Sequence, residues 1–537
     1  MSVLLIAASM LALAPAPTIA SAGTYRGALS PAAPITLYIS LPGQHEEQID
    51  RLILAQNTPG SAYYEHYLTP QQYGAYFGAT PQAYGAAIAG LRAHGFTIVD
   101  LPENRKDIVA SAPAAIVERT FAVSLDVRSA RGLTFYANRT MPPMPLWLKG
   151  AAVSGLDDYP LFHSGARQGI PQAKIGTHVA WGPKDIQNVY DLTPIYKKYD
   201  GSGVTIGEAT VGIATQSDLS GFSRRFGLHS TMSTVPLGSG TYSDRHESTL
   251  DVEWMAAIAP KVHIVQAAIP TNSFANFVKL YSYFVNKRAD VNIVSTSWGA
   301  CEQDMRGSYS SQLSQDNSLM AQAATEGQWW FADAGDFGSD ECEDGKTISV
   351  NYPASSPYVV SVGGTEVMPG VINPGSVYSD WTNEVTWNTP GSFAGAGGGG
   401  KSALFKKPAY QKALTPNDAK RDVPDVALMS DWNDPNGAYF IYYQGAWVSQ
   451  WGGTSFATPE WAAFLGLVQQ RYGTKKVTSP LLRFYALART KQYDSLFHDI
   501  LNGCNGLNNV PGFCAHRGYD NATGLGSFIG SALEAAY

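Results

Sequence analysis

Apolar and polar positions follow two different patterns along the chain, and the first covers about residues 35–141. Apolar runs of strand character lie at 35–41, 96–101, 107–111 and 133–137, and segments with a helical period lie at 46–55, 70–94 and 113–121. The resulting order of strand, helix, strand, strand, helix, strand is that of a split βαβ unit. We therefore predict a ferredoxin-like α+β domain over residues 23–160. Because no catalytic residue types cluster there, a folding or inhibitory role is favoured.

The second pattern begins near residue 186 and continues to residue 537. Short apolar runs recur at 204–207, 262–265, 291–294, 329–332 and 358–362. Helix-length segments separate most of them, which indicates βαβ units and a mostly parallel sheet flanked by helices. We predict an α/β domain over residues 186–537. Its functional side chains are expected beyond the carboxyl ends of the strands.

The segment between the two patterns, residues 161–185, carries Gly, Pro and Ser with little periodicity. Such a segment is typical of an exposed, cleavable linker.

The first 22 residues contain an apolar stretch that ends in Ala20-Ser21-Ala22, an A-x-A cleavage pattern. We interpret residues 1–22 as a secretory signal peptide, with a buried N-terminal helix as the alternative. The stretch is too short and too rich in proline to cross a membrane. A secreted, extracellular protein without a membrane anchor is therefore expected.

The composition agrees with an exported protein. Charged residues make up 15% of the chain and the net charge is −7, so there is no basic surface for nucleic acid. A low charge density also favours stability in acid, because a protein with many ion pairs would lose them when its carboxylates are protonated.

The four cysteines allow three pairings, and local spacing favours Cys504 with Cys514, which leaves Cys301 with Cys342. Without a C-x-x-C motif, a zinc site is not expected.

The first candidate for chemistry is the segment 452–459, which reads GGTSFATP. Two glycines permit a tight turn, and Ser455 stands where a helix begins, because residues 461–467 are apolar. A serine at the positive end of a helix dipole is well placed to carry developing negative charge. An isolated G-T-S would indicate an ordinary helix cap. The longer run, however, is similar to the nucleophile segment of the subtilisin-like clan of serine peptidases.

A base for Ser455 is not provided by a recognisable histidine motif. The stretch IGTHVA at 175–180 carries Ile175 where a subtilisin has its catalytic histidine, so we interpret the match around His178 as a coincidence. A zinc protease is excluded as well, because Leu250 replaces the second histidine of an H-E-x-x-H motif that would begin at His246.

Glu247 and Asp251 instead offer a pair of carboxyl groups. They open an apolar helix that ends before Pro260, and their spacing of four places them on one face. Two solvated carboxylates at a helix N-terminus are the alternative. In the catalytic interpretation, Asp251 holds a proton and orients Glu247, which accepts the proton of Ser455 as general base. Such a base works in acid, where histidine would be protonated.

Asp336 is the candidate for stabilising the oxyanion. It follows the apolar run 329–332 and, if protonated, could donate a hydrogen bond beside the backbone N–H of Ser455. The alternative is an Asp-Phe-Gly turn or a kinase-type metal ligand. A kinase is excluded, since no phosphate loop, lysine strand or H-R-D motif accompanies it.

Together these motifs resemble the sedolisin (serine-carboxyl peptidase) family, which includes kumamolisin-like enzymes and tripeptidyl peptidase I. The matching segments are E-x-x-x-D at 247–251, S-x-S-W-G at 295–299, G-D-x-G at 335–338, Y-P-A-S-S-P at 352–357 and G-G-T-S-x-A-x-P at 452–459. The run Y-x-x-Y-L-T at 64–69 matches the pro-domain of the family. The resemblance covers nearly the whole chain after the signal and implies a subtilisin-like catalytic domain behind a pro-domain.

The resemblance also implies the roles of individual residues. It implies a triad of Ser455, Glu247 and Asp251 with Asp336 in the oxyanion hole. Glu208 and Trp298 would extend the hydrogen-bond network behind Asp251, although Glu208 is followed by Ala-Thr-Val where the family usually has glycines.

One structural calcium ion near the C-terminus is a further implication of the resemblance. Asp499 and Asp520 would supply carboxylates, and Ile500, His516 and Gly518 would supply carbonyl oxygens. His516 stands where the family usually has glycine, which puts the loop geometry in question. Two loop aspartates at turns are the alternative.

These inferences lead us to expect a secreted, acid-active endopeptidase made as a zymogen. Its own pro-domain would assist folding and block the cleft, and acid would weaken the ion pairs of that domain and permit cleavage of the linker. The substrates would be polypeptides, and a monomer is expected. A tripeptidyl aminopeptidase of the same family would share every catalytic residue. An inactive binding protein on the same fold is a further alternative.

Overall fold

The computed structural model describes residues 23–168, 181–367 and 384–537, apart from 131, 141, 243–244, 307–308, 392–393, 433–437 and 474–475. The predicted signal peptide and the His178 segment lie outside the described residues. Helices and strands are numbered in chain order.

The elements up to residue 168 are β1 (Thr24–Ala28), β2 (Pro34–Ser40), α1 (Ile49–Gln56), α2 (Pro70–Tyr76), α3 (Pro81–Ala93), β3 (Thr97–Asp100), β4 (Asp107–Pro113), α4 (Ala114–Phe121), β5 (Leu125–Ala130), β6 (Leu133–Asn138), β7 (Ala152–Ser154) and β8 (Arg167–Gln168). The later helices are α5 (Pro183–Val189), α6 (Gln216–Phe226), α7 (His246–Ile258), α8 (Phe274–Lys287), α9 (Glu302–Met305), α10 (Ser310–Thr325), α11 (Thr454–Tyr472), α12 (Pro480–Ala488), α13 (Tyr493–Leu496) and α14 (Gly530–Ala536). The later strands are β9 (Thr205–Val211), β10 (Thr231–Pro236), β11 (His263–Ile269), β12 (Ile293–Thr296), β13 (Ala300–Cys301), β14 (Trp329–Asp333), β15 (Asn351–Tyr352), β16 (Val359–Val367), β17 (Glu384–Thr386), β18 (Asn388–Thr389), β19 (Gly395–Ala396), β20 (Gly400–Lys406), β21 (Lys420–Val423), β22 (Val426–Met429), β23 (Tyr439–Tyr443), β24 (Ala446–Gly452), β25 (Phe497–His498) and β26 (Ser527–Phe528).

The N-terminal region contains a four-stranded antiparallel sheet in the order β3-β4-β2-β7. If β2 counts as the first strand, the order is 2-3-1-4, which is that of a ferredoxin-like plait. Strand β2 occupies a central position because Ile35, Leu37 and Ile39 alternate with more exposed residues and pack into the core beneath the sheet.

One strand of this plait was predicted wrongly. The apolar run 133–137 is not its fourth strand; it forms β6, which belongs to a separate three-stranded sheet with β1 and β5. The fourth position is taken by β7, whose three residues are too few to leave a periodic pattern. Neither β1 nor β5 was predicted.

The second region contains an eight-stranded sheet in the order β10-β11-β9-β12-β14-β16-β17, with β22 also paired to β16. All pairs are parallel except β16 with β17. Strands β9, β11 and β14 are buried along almost their whole length, as expected for parallel strands covered by helices on both faces. The predicted sheet is therefore confirmed, although the exposed edge strand β10 and the four-residue β22 were not predicted.

Helix α11 is the central helix of this region. It packs on the sheet and against α7, and it is buried from Thr454 to Gln469. The sequence placed the start of this helix at Ser455, ahead of the apolar run 461–467, and the helix begins one residue earlier, at Thr454, and continues through Pro459. The proline is tolerated because it lies close to the N-terminus, where few backbone hydrogen bonds are lost.

Two disulfide bonds cross-link the chain, and the length and hydropathy of its described helices bear on whether a helix could span a membrane. The predicted pairs Cys301–Cys342 and Cys504–Cys514 are both disulfide-bonded. Across the part of the chain that the structure describes, no helix combines the length and hydropathy that a membrane span requires.

The linker was predicted to be exposed, and its described first part is not. Leu161 and Phe162 are buried, Phe162 stacks on Phe277 with ring centroids 4.0 Å apart, and Gly165 is buried as well. The composition of the linker suggested solvent exposure, but its two apolar residues anchor it to α8. Residues 169–180 of the linker lie outside the described residues.

Candidate active site

Ser455 lies in the first turn of α11 and is completely buried. The turn before it depends on two glycines. Gly453 has φ 124°, and a Cβ on it would collide with the carboxyl group of Asp336, while a Cβ on Gly452 would lie 2.5 Å from the carbonyl oxygen of Ser430. The described residues offer Ser455 Oγ no hydrogen-bond partner. The hydroxyl is thus held at a helix N-terminus and available for a reaction.

Glu247 and Asp251 lie on α7, the helix that packs against α11. Their exposed fractions are 2% and 0%, so the alternative of two solvated carboxylates is wrong. Glu247 lies in the first turn of α7, and Asp251 lies one turn later on the same face.

Ser297 connects the acidic helix to the nucleophile segment. Its Oγ donates to Asp251 Oδ1 at 2.7 Å and lies 3.4 Å from the carbonyl oxygen of Ser455. This carbonyl lacks its usual helical partner, because Pro459, four residues later, has no N–H to donate. The S-x-S-W-G motif contains Ser297, but sequence reasoning assigned it no role.

Asp251 and Glu208 form a buried acidic pair. Burial and then the charge of Glu208 raise the pKa of Asp251 well above its usual value, and burial raises the pKa of Glu208 in the same direction. Gln266 Nε2 donates to Glu208 Oε2 at 2.8 Å, and the charge of Glu247 also raises the pKa of Glu208. Because the pKa of each is raised, the two carboxyl groups retain a proton between them more readily than ordinary carboxyl groups do.

Trp298 is buried beside the same strand. Its indole nitrogen donates to Thr210 Oγ1 at 3.2 Å, and Thr210 lies two residues after Glu208, on the same face of β9. The described contacts of Trp298 therefore support the strand that carries Glu208.

Asp336 lies in the loop that follows β14, at the carboxyl end of a central strand. Its Oδ1 accepts hydrogen bonds from the backbone nitrogen of Thr454 at 2.7 Å and from Thr454 Oγ1 at 2.8 Å. Asp336 is completely buried and is fixed beside the first residue of α11. It is therefore near the position where an oxyanion would form on a substrate attacked by Ser455.

Two more buried acids, Asp333 and Glu341, surround Asp336. Burial raises the pKa of each, and the charge of Asp336 raises both further. Gly335 leaves room for Glu341, since a Cβ at this position would collide with the carboxyl group. Neither acid was predicted, although the run 333–341 contains four acidic residues and could have suggested a cluster.

The five residues expected to hold calcium lie around one loop. Gly518 N donates to Asp499 Oδ2 at 2.9 Å, and His516 N donates to Asp520 Oδ2 at 3.1 Å, so both carboxyl groups border the segment 516–520. Burial raises the pKa of Asp520 to about 6. Within the described part of the chain, no hydrogen bond is donated to the carbonyl oxygens of Ile500, His516 or Gly518.

One buried and one partly buried carboxyl group, Asp520 and Asp499, lie beside carbonyl oxygens that accept no hydrogen bond from the described residues, and this set fits a hard cation such as calcium, which prefers oxygen ligands. The described residues contain no group of three or more His, Cys, Asp or Glu side chains suited to a metal. This finding does not conflict with a site of two carboxylates and three carbonyls.

Comparison with known proteins adds the evolutionary context. The chain matches the family model "Pro-kumamolisin, activation domain" over residues 21–158 and the model "Subtilase family" over residues 241–493. Sedolisin from Pseudomonas sp. (strain 101) is 29% identical over 527 residues, which cover 93% of this chain and 86% of that protein. Kumamolisin from Bacillus sp. (strain MN-32) is 29% identical over 469 residues, which cover 82% of this chain and 80% of that protein.

A solved structure agrees with these relatives. Pseudomonas sedolisin, described as a serine-carboxyl proteinase complexed with two molecules of pseudo-iodotyrostatin, superposes with a TM-score of 0.59 at 28% identity. The match covers 67% of this chain and 98% of that structure.

Proposed function

We propose that this serine-type peptidase is an acid-active endopeptidase of the sedolisin family, made as a zymogen with an activation domain before its subtilase domain. The observation that carries the proposal is the contact of Ser297 with both Asp251 and Ser455. It joins the acidic face of α7 to the N-terminus of α11, where a nucleophile needs a base.

In the proposed mechanism, Ser455 Oγ attacks a peptide carbonyl and Glu247 accepts its proton. Asp251, kept protonated by burial and by Glu208, orients Glu247 and stabilises its charge. The proton then passes to the leaving amine, and water hydrolyses the acyl-enzyme by the same route in reverse. Every group in this relay is a carboxyl or hydroxyl group, which suits work in acid.

Asp336 would stabilise the oxyanion together with backbone N–H groups at the start of α11. This role requires a protonated carboxyl group. The neighbouring buried acids Asp333 and Glu341 support it, because additional negative charge at this position would be costly.

The path of the linker favours an endopeptidase over a tripeptidyl aminopeptidase. Chain continues on both sides of the segment beside Asp336, upstream through Phe162 and downstream into β8. A cleft that accepts chain in both directions is suited to cleavage within a polypeptide.

Acid is expected to weaken the attachment of the pro-domain only slightly through the loss of ion pairs, because few ion pairs in the described part of the chain join the pro-domain to the second region. Among the described residues, one ion pair links the two regions, Lys287 with Asp100 at 3.2 Å, and both partners are exposed. Exposed pairs contribute at most about 1 kcal/mol. Other cross-region hydrogen bonds join two neutral groups, as from Asn104 Nδ2 to Gln322 Oε1 at 2.9 Å, or have an ionisable group on one side only, as from Tyr358 Oη to Asp50 Oδ1 at 2.8 Å and from Lys106 Nζ to Ser318 Oγ at 2.6 Å. We infer that acid acts mainly by switching on catalysis.

A pH–rate profile on denatured protein tests the proposed function. We expect activity confined to roughly pH 3–5, since Glu247 must be ionised while Asp336 and Asp251 remain protonated. Ser455→Ala protein, purified in parallel, controls for contaminating peptidases. A neutral or alkaline optimum would contradict the carboxylate base, and release of single tripeptides from peptide N-termini would favour the aminopeptidase.

We also propose one structural calcium ion held by Asp499, Asp520 and the three loop carbonyls. Calcium would neutralise two partly buried carboxylates, so its removal is expected to lower the Tm. The test measures the Tm of Ser455→Ala protein at pH 6.5 in the presence of calcium and in the presence of a chelator. Asp520→Ala should abolish the difference, whereas Asp494→Asn, an exposed residue of the same region paired with Arg517, should retain it. Equal Tm values in calcium and chelator would refute the site.

A further inference from the structure

Residues 161–168 cross the candidate active site as an extended segment. At its upstream end, His163 exchanges two backbone hydrogen bonds with Gly299: His163 N donates at 2.8 Å and accepts through its carbonyl oxygen at 2.9 Å. At its downstream end, β8 pairs antiparallel with β24, with Arg167 opposite Gly452. The linker therefore contacts both walls of the cleft through its backbone, as a peptide added to a sheet edge does.

Only Ser164, Gly165 and Ala166 lie between these two anchors. Gly165 packs against Asp336 so closely that a Cβ on Gly165 would collide with the carboxyl group. The Cα of Ala166 would lie 3.1 Å from a Cβ built on Gly453. The peptide between residues 165 and 166 is therefore the part of the linker nearest to the oxyanion candidate and the nucleophile turn.

An aromatic anchor fixes the register of this segment. Leu161 N and Phe162 N each lie 3.1 Å from the carbonyl oxygen of Asn272, and the Phe162 ring stacks on Phe277. With Phe162 buried and His163 paired, the linker cannot slide by one residue without losing both contacts.

We propose that Gly165–Ala166 is the bond at which the zymogen cleaves itself. The proposal rests on the proposed function. Ser455 Oγ would form an ester with the carbonyl carbon of Gly165, and its proton would pass through Glu247 to the nitrogen of Ala166 as the C–N bond breaks. Water then hydrolyses the ester, which leaves a carboxylate on Gly165 and a new amino terminus on Ala166.

The experiment follows the intact mass and N-terminal sequence of the purified precursor from neutral pH through the first minutes after acidification. The first new amino terminus is expected to read Ala-Arg-Gln, with a pro-fragment that ends at Gly165. Early samples are needed because the released ends are themselves substrates. A first cut at any other bond overturns the proposal. So does a cut at this bond in Ser455→Ala precursor, which would reveal a foreign peptidase.

Two valine variants test the close contact with Asp336. Gly165→Val should slow cleavage at this bond by about 100-fold, because its side chain displaces the linker from the reacting groups. Gly85→Val is the matched control, since a Cβ at Gly85 has no neighbour within 4 Å. An unchanged rate in Gly165→Val contradicts the proposal.

Activity on denatured protein distinguishes failure of the proposed cleavage site from failure of the proposed function. If acid-treated protein digests it but the first cut lies elsewhere, the cleavage site is wrong and the proposed function stands. If neither digestion nor self-cleavage occurs at any pH, the proposed function itself has failed.

Discussion

Replacing Glu247 by glutamine is expected to lower kcat by on the order of 10,000-fold and to leave the precursor uncut in acid. Glutamine keeps the size and burial of the side chain but cannot accept the proton of Ser455. Because triad members act as one unit, adding Ser455→Ala should cause little further loss. The measurements are kcat on a peptide substrate and the mass of the acidified precursor.

Glu253→Gln is the matched control for this experiment. Glu253 lies on the same helix and is as deeply buried as Asp251, but its Oε2 accepts a hydrogen bond from Tyr442 N at 2.8 Å. Burial raises the pKa of Glu253, so it is already neutral in acid, and glutamine keeps the accepting oxygen. We expect near-normal activity. Full activity in Glu247→Gln would show that another group is the base.

The second large effect concerns stability, and we expect the Ser455→Ala precursor to lose stability steadily as the pH rises from about 4 to 8. Burial raises the pKa of Glu326 to about 8 and that of Asp157 to about 7. It also raises the pKa values of Asp316, Asp333 and Glu460. A carboxyl group with a raised pKa stabilises the folded state below its unfolded pKa, and this contribution is lost as the pH rises towards the folded pKa.

The size of this effect follows from the same relation. One pKa unit corresponds to about 1.4 kcal/mol, so the raised pKa of Glu326 alone would lower the free energy of unfolding by about 3 kcal/mol between low pH and pH 7. Several such groups together should lower the Tm by at least about 10 °C between pH 4 and 8. Glu384 acts in the opposite direction, because hydrogen bonding to His498 lowers its pKa despite burial, so its contribution is lost in strong acid.

Thermal unfolding at a series of pH values measures this dependence. Glu460→Gln should change little at pH 4 and raise the Tm at pH 8, because it removes one buried group that would ionise. Glu47→Gln, at an exposed position, should leave the slope unchanged. A Tm that is constant or rises from pH 4 to 8 would show that these acids are not held neutral.

Much of the candidate site could be read from short motifs. Glu247 and Asp251 were singled out by their four-residue spacing and Ser455 by two glycines before a helix, and the resemblance of these motifs to the sedolisin family implied their catalytic roles. These signals are local, because the period of a helix and the conformational needs of glycine depend on neighbours in sequence. The pairing of Cys504 with Cys514 was favoured for the same reason, since the two cysteines are ten positions apart.

Residues that act through distant contacts left no such signal. Ser297 contacts Asp251 and Ser455, which lie 46 and 158 positions away. Asp333 and Glu341 matter through burial around Asp336, and an acidic residue in a sequence carries no mark of its future exposure. Strand β7 was missed because it has only three residues and pairs with β2, which lies more than a hundred positions earlier in the sequence.

The linker shows most clearly the difference between local signals and tertiary contacts. Its Gly, Pro and Ser content indicated a cleavable segment, and this inference needs only the local sequence. Its burial and register depend on Phe162 packing on α8 and on backbone pairing with Gly299 and Gly452. The sequence by itself determined the two domain types and the favoured disulfide pairing, since periodicity and spacing carry that information, and its motifs supplied the candidates for the nucleophile and the acid pair. Only the tertiary structure decided which acids are buried together and which peptide bond lies beside Asp336, because these contacts join positions far apart in the chain.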